Sequence, residues 1–263
     1  YEVANNIFMW QFMRVIPGKN DPNHTWFVPL SMELGQKDTL SSKLFVNYLA
    51  AVHEGGQNHS FGAASDVLSK FKKYQRKAGK AVAPSAQAIG YEISYNKMQI
   101  FKRSYQLYLL SGFLLLVVFF IGIFFRLEKS LRVLTWPKRI LIAITIITFV
   151  YHGVGLGLRW AISGHAPWSN GYEAMVFIGW ITMIAGFLFA RKNQVVLAGA
   201  TVLAALMLWV SEMNLMDPEI TPLVPVLKSY WLMIHVAIIT GSYGFLGLAC
   251  ILGLINIKLY LFQ

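Results

Sequence analysis

Nineteen consecutive residues, Leu107 to Phe125, "LYLLSGFLLLVVFFIGIFF", carry no charge. At 1.5 Å of rise per residue, a helix over this run is about 28 Å long, close to the thickness of a bilayer's hydrocarbon core. Lipid offers no hydrogen-bond partners to a backbone, so such a run must satisfy its own N–H and C=O groups, which a helix does. The run therefore restricts the chain to folds with membrane-crossing helices.

Four further runs extend the pattern. Ile140 to Leu158 is interrupted only by His152 as a plausibly ionisable group, Ala174 to Ala190 and Val195 to Val210 are shorter, and Tyr230 to Ile257 is long enough to cross at a tilt. The "RKNQ" between the third and fourth runs leaves room only for a tight reversal, so these two are expected to form an antiparallel hairpin. Composition agrees: 56% of the 263 residues are hydrophobic and only 13% charged, which sets the chain apart from water-soluble proteins. The expected fold class is mainly α, a polytopic helical membrane protein of about five transmembrane helices with an N-terminal extracytoplasmic region. Residues 1–104 form the external region and 105–263 the membrane domain, with crossings near 107–125, 140–158, 174–190, 195–210 and 230–257.

Charge placement orients the set. Arg126, Lys129, Arg132, Lys138 and Arg139 oppose Glu128 alone in one connection, and Arg191, Lys192 and Lys258 fall on the same side. The other side carries Arg159, Glu173, Glu212, Asp217, Glu219 and Lys228, a balanced or acidic set. The positive-inside bias makes the basic side cytoplasmic. Residues 1–104 and the loops 159–173 and 211–229 are then extracytoplasmic, and the expected site is the cytoplasmic (inner) membrane. The formal charge of +11 is thus read as membrane placement among lipids. No zinc-finger spacing, phosphate loop or long basic helix accompanies it, so no nucleic-acid partner is expected. The block "KFKKYQRKAGK", Lys70 to Lys80, lies in the external region against the bias, and is read as solubilising a helix.

Within the first 104 residues, Ala64 to Ala78 has helical spacing, Ser41 to Tyr48 begins a second helix, and Pro-Gly and Asn-Asp-Pro mark turns before them. His24 follows such a turn. His53, Glu54 and His59 match no metal-binding spacing, and the glycines between them are read as flexible, which disfavours a metal site. Cys250, the sole cysteine, lies in an apolar run and is read as a buried or lipid-facing hydrophobe.

Two stretches concentrate chemistry-bearing residues. In "SGHAPWSNGYEAMVF", Asn170 and Glu173 have the spacing of a capping box, in which the asparagine accepts from the Glu173 amide and the glutamate reaches back to Asn170. Pro167 restrains the approach, Trp168 supplies a broad ring at headgroup level, and His165 stands near it as a solvated neighbour or as part of a platform for a flat amphipathic molecule. His235 sits near one end of the fifth crossing with Trp231 four residues before, Ile239 four after and Tyr243 eight after, all on one helical face. An imidazole in an apolar segment bonds a neighbouring helix, faces a cavity or coordinates something. His152 is followed by "GVGLGLRW", whose glycines suggest helix contact. Gly241, Gly244 and Gly247 give the fifth helix a small-residue surface for close packing. The membrane segments offer no carboxylate to orient a Ser-His-Asp arrangement.

The stretches "LRWAISGHAPWSNGYEAMVFIGW", Leu158 to Trp180, and "LVPVLKSYWLMIHVAIITGSYGFLG", Leu223 to Gly247, with the hydrophobic hairpin between them, resemble the cytochrome c assembly family. They are most similar to the CcsA part of the system II cytochrome c synthase, also found fused as CcsBA. That resemblance implies a protein that presents reduced heme at the outer membrane face and joins its vinyl groups to the CXXCH thiols of apocytochrome c. It implies further that His235 is an axial ligand of the heme iron, with Trp231 and Trp168 beside the cofactor, and that no catalytic base is supplied. The family's tryptophan-rich WWD segment and second outer-face histidine are expected beyond Gln263, and Tyr1 is expected to continue an external domain. The chain is accordingly expected to work with the remaining CcsA portion and a CcsB-like region, fused or separate. A noncatalytic membrane scaffold for a cytochrome assembly complex is the alternative.

Overall fold

The computed structural model describes residues 14–18, 25–29, 39–124, 131–191, 195–213, 215–220 and 229–261. His24, the reversal at 192–194, the stretch 125–130 with Arg126 and Lys129, the stretch 221–228 and both chain ends lie outside them. The chain divides into two compact units, Tyr1–Ser85 and Ala86–Gln263.

The first unit pairs two short strands and two helices. Strand β1 (Ile16–Pro17) runs antiparallel to β2 (Trp26–Phe27), with Ile16 opposite Phe27. Helices α1 (Thr39–Asn58) and α2 (Gly62–Ala78) pack on each other. Ile16, Phe27, Phe45 and Phe71 form a small apolar core. Gln75 Nε2 donates to the Val15 carbonyl at 2.8 Å and the Tyr74 hydroxyl to the Pro17 carbonyl at 3.1 Å, which ties α2 to the strand. Gly55 and Gly56, read as flexible from sequence, are helical, and α1 ends beyond them where His59 turns into the left-handed region with φ 51°. The His53 ring lies 3.2 Å from the Gln57 amide nitrogen one turn on.

The second unit is a bundle. Helix α3 (Ala86–Met98) leads into α4 (Ile100–Phe124), followed by α5 (Leu131–Ser163), α6 (Gly171–Ala190), α7 (Val195–Glu212) and α8 (Tyr230–Leu261). Five helical segments are long and apolar enough to cross a membrane, 86–121, 135–163, 171–190, 195–212 and 230–257. This is a mainly α-helical, multi-pass membrane protein. The change of composition at 104/105 falls inside α4. The break between α3 and α4 is at Gln99, with φ 45°, and the Tyr151 hydroxyl of α5 donates to the Met98 carbonyl beside it at 3.0 Å.

Helices α6 and α7 lie at the centre of this unit. They are antiparallel, since Gly186 meets Ala200, Gly179 meets Ala204 and Tyr172 meets Glu212. Close approach is made by glycine. A Cβ at Gly112 of α4 would stand 3.0 Å from the Val202 backbone nitrogen of α7, and one at Gly244 of α8 would stand 3.1 Å from both the Ile178 carbonyl and the Thr182 nitrogen of α6. On α5, Gly155 admits the Phe101 ring, whereas Gly157 faces open space. The small-residue surface expected on the fifth crossing is therefore real, and the one after His152 holds at Gly153 and Gly155 only.

Candidate functional site

Chemistry gathers at the bundle end where α5 stops and α6 starts. Gly164, with φ 73°, ends α5 in the left-handed region that glycine enters without strain. The chain then returns to α6 through "HAPWSN". Asn170 caps α6 in extended conformation, its side-chain oxygen accepting from the Glu173 amide at 2.8 Å, as the sequence predicts. The second arm of the capping box differs. Glu173 Oε2 accepts from the amide and hydroxyl of Ser169, at 3.0 and 2.7 Å, one residue upstream of the position the spacing predicts.

The reason is Arg159. Its Nε and Nη2 donate to Glu173 Oε1 at 3.2 and 2.9 Å, its Nη1 to the Tyr95 hydroxyl at 3.1 Å and the Pro218 carbonyl at 2.9 Å, and its Nη2 also to the Glu219 carbonyl at 3.4 Å. Both members of this ion pair are buried, at 0% and 1% exposure. The guanidinium also lies 5.0 Å from the Tyr172 ring. Burying two charges is tolerable only when each remaining donor and lone pair is engaged, which this geometry achieves. Arg159 and Glu173, counted from sequence among the charges of the outer connections, form a buried pair that clamps α3, α5, α6 and the 215–220 segment together.

Glu173 is also a buried carboxylate in the first turn of a membrane helix, so the expectation that no such group exists was wrong. It does not make a catalytic triad. Ser169 stands between His165 Nδ1, at 3.4 Å, and Glu173, and donates to the carboxylate, so its hydroxyl is held by an acceptor and not activated by the imidazole. His165 is itself buried, with Nδ1 3.2 Å from the Ala166 carbonyl, and is not the solvated neighbour that sequence allowed.

Trp168 is half-buried between Trp160, at 5.9 Å, and Phe177, at 4.8 Å between ring centroids, and its indole N–H donates to the Met233 carbonyl of α8 at 3.2 Å. It thus docks α8 two residues from His235. The buried side of α8 runs through Thr240, Gly241, Gly244 and Leu248. His235 is on the other side, in an exposed stripe with Trp231, Ile239 and Tyr243. The shared helical face expected from spacing is present and points away from the described bundle, as does Cys250. Two open pockets adjoin the ion pair: one of about 260 Å³ lined by Tyr95, Gln99, Phe101, Tyr172, Glu212 and Pro218 among others, and one of about 400 Å³ lined by Glu92, Tyr95, Asn96, Pro218, Glu219 and Ile220. Neither includes His235, Trp231 or Trp168.

An apolar multi-pass bundle, a helix start organised by a buried ion pair and a histidine–aromatic stripe on the outer side of α8 define a multi-pass membrane protein. Residues 168–262 match the sequence model of the family described as Cytochrome C assembly protein. Protein NrfI of Wolinella succinogenes is 32% identical over 99% of this chain, and the cytochrome c biogenesis protein CcsA of Guillardia theta is 31% identical over 62% of it. CcsA of a Prochlorococcus marinus strain is 41% identical over 34% of the chain. Over residues 168–262 the chain matches the cytochrome c assembly family, and it is homologous to CcsA- and NrfI-type proteins. It spans 28% of the length of the Wolinella protein and 54% of the Guillardia protein.

Proposed function

We propose that the chain is part of a membrane cytochrome c synthase that holds heme at the outer membrane face for thioether attachment to the CXXCH thiols of apocytochrome c. The observation that carries this reading is the exposed His235 stripe on α8, within the family-matched residues. Its donors fit heme on one side. The neutral imidazole of His235 would hold the iron through a ring nitrogen, and Trp231, Ile239 and Tyr243 would give the macrocycle an apolar and aromatic surface. Trp168 contributes by bracing α8 at the Met233 carbonyl next to the ligand. The rest of the heme's protein environment would be supplied by the remaining CcsA portion, with a CcsB-like region completing the assembly. Residues 1–104 and the 159–173 and 211–229 connections lie outside the cytoplasmic membrane in this reading.

The reaction asks little acid–base chemistry of these residues. Each apocytochrome thiol adds S–H across a vinyl C=C, so a C–S bond and a C–H bond replace the π bond and no net electrons are exchanged. The protein's part is to fix the two partners in register and so remove the entropy cost of their encounter. The test is a His235→Ala substitution in the full-length protein, scored by maturation of a reporter cytochrome c at matched membrane abundance. Maturation falls severely if the reading is right; maturation at the unsubstituted level overturns it. A scaffold acting without heme would keep its partner complexes and its maturation in this variant.

A further inference from the structure

Beneath the ion pair, in the interior of the bundle, lies a second polar cluster that the heme reading does not use. His152 of α5 has no exposed surface, and its ring nitrogens have no side-chain partner; the backbone of Val176 on α6 is the polar group nearest to serving the ring. Across from it, on one face of α4, the hydroxyls of Ser104 and Tyr108 are equally buried and equally unpartnered. The Tyr108 and His152 rings are 6.0 Å apart between centroids. On the α6 side the imidazole meets Gly179, where a Cβ would stand 3.6 Å from Cε1, so the absent side chain leaves a gap against the ring.

Three side chains with both donor and acceptor capacity do not stay dry together inside an apolar bundle. No direct bond joins them, and a small molecule that gives and takes hydrogen bonds in several directions would serve all three. We infer that Ser104, Tyr108 and His152 form an internal hydration site, holding one or two water molecules between α4, α5 and α6, with Phe101 as its plug. The position of Phe101 supports the last point. Its ring makes edge contacts with His152 at 5.5 Å on one side and with Tyr95 and Tyr172 at 6.0 and 6.2 Å on the other. Tyr95, Phe101 and Tyr172 also line the pocket of about 260 Å³ beside the ion pair. Phe101 is thus the partition between an open pocket and the closed cluster, and Gly155 provides the space its ring occupies.

The inference is independent of heme and is tested without it, by X-ray radiolytic footprinting of the full chain in detergent and ¹⁸O-labelled water. Radicals formed from a held water label the side chains around it even when bulk solvent cannot reach them. Tyr108 and His152 are expected to take up ¹⁸O several-fold faster than Phe45, which is buried in a wholly apolar core. Phe101→Ala is expected to speed uptake at Tyr108 further. Tyr108→Phe separates the cases thermodynamically: it lowers the unfolding temperature if the hydroxyl holds water, and raises it if the hydroxyl is dry and unpaired. Uptake at Tyr108 no faster than at Phe45, or a Tyr108→Phe protein that melts higher, overturns the inference.

Discussion

Arg159 shows how far a single side chain can organise this molecule. Its five donated bonds reach α3, α6 and two backbone carbonyls of the 215–220 segment. Removing one member of a buried pair leaves the other charge uncompensated, at a cost of about 3–5 kcal/mol. Arg159→Met is therefore expected to lower detergent-state stability by about that much, while Arg159→Met combined with Glu173→Met recovers a large part of the loss. Thermal or denaturant unfolding of the two proteins checks this, and equal losses would show that the guanidinium's other partners dominate. Asn170→Ala is milder, expected to cost about 1 kcal/mol through the lost cap on the Glu173 amide. That cap was legible because its partners are three residues apart. The ion pair was not. Its members are separated by 14 residues, and the groups that make burial tolerable, the Tyr95 hydroxyl and the Pro218 and Glu219 carbonyls, are remote in sequence and in part backbone.

At the level of elements, each apolar run read from the sequence falls in one of the five described helices long and apolar enough to cross a membrane, because a lipid-spanning helix announces itself by the absence of charge. Less of the helix boundaries was readable. Helix α5 begins at Leu131 and passes through Pro137, which lacks an N–H to donate within the helix, while the apolar run starts only at Ile140. The α3–α4 break rests on Gln99 in a left-handed conformation, with no glycine or proline to signal it. Glycine roles divide by what faces them. Gly244→Ala pushes a methyl to 3.1 Å from two backbone atoms of α6, which cannot swing aside, so it is expected to loosen α8 and lower stability by about 1–3 kcal/mol. Gly253→Ala, on the same helix and facing nothing within 4 Å, is expected to be neutral or to stabilise by up to about 1 kcal/mol. Comparing the two by unfolding in detergent separates helix packing from helix propensity; similar effects from both would count against close α6–α8 packing.

For the molecule as a whole, the candidate heme face is an outer surface of the bundle. Helix α8 uses Thr240, Gly241, Gly244 and Leu248 to hold the bundle and leaves Trp231, His235, Ile239 and Tyr243 uncovered. Helical spacing put these four on one face, but spacing alone gives no direction for that face, since which side of α8 is inward depends on where α6 and α7 lie. The most direct test is the absorption spectrum of purified full-length protein, compared among unsubstituted, His235→Ala and His165→Ala forms. The account predicts that the histidine-ligated heme signal is lost or strongly weakened in His235→Ala and retained in His165→Ala, whose ring faces Ala166 and Ser169. An undiminished signal in His235→Ala would contradict it.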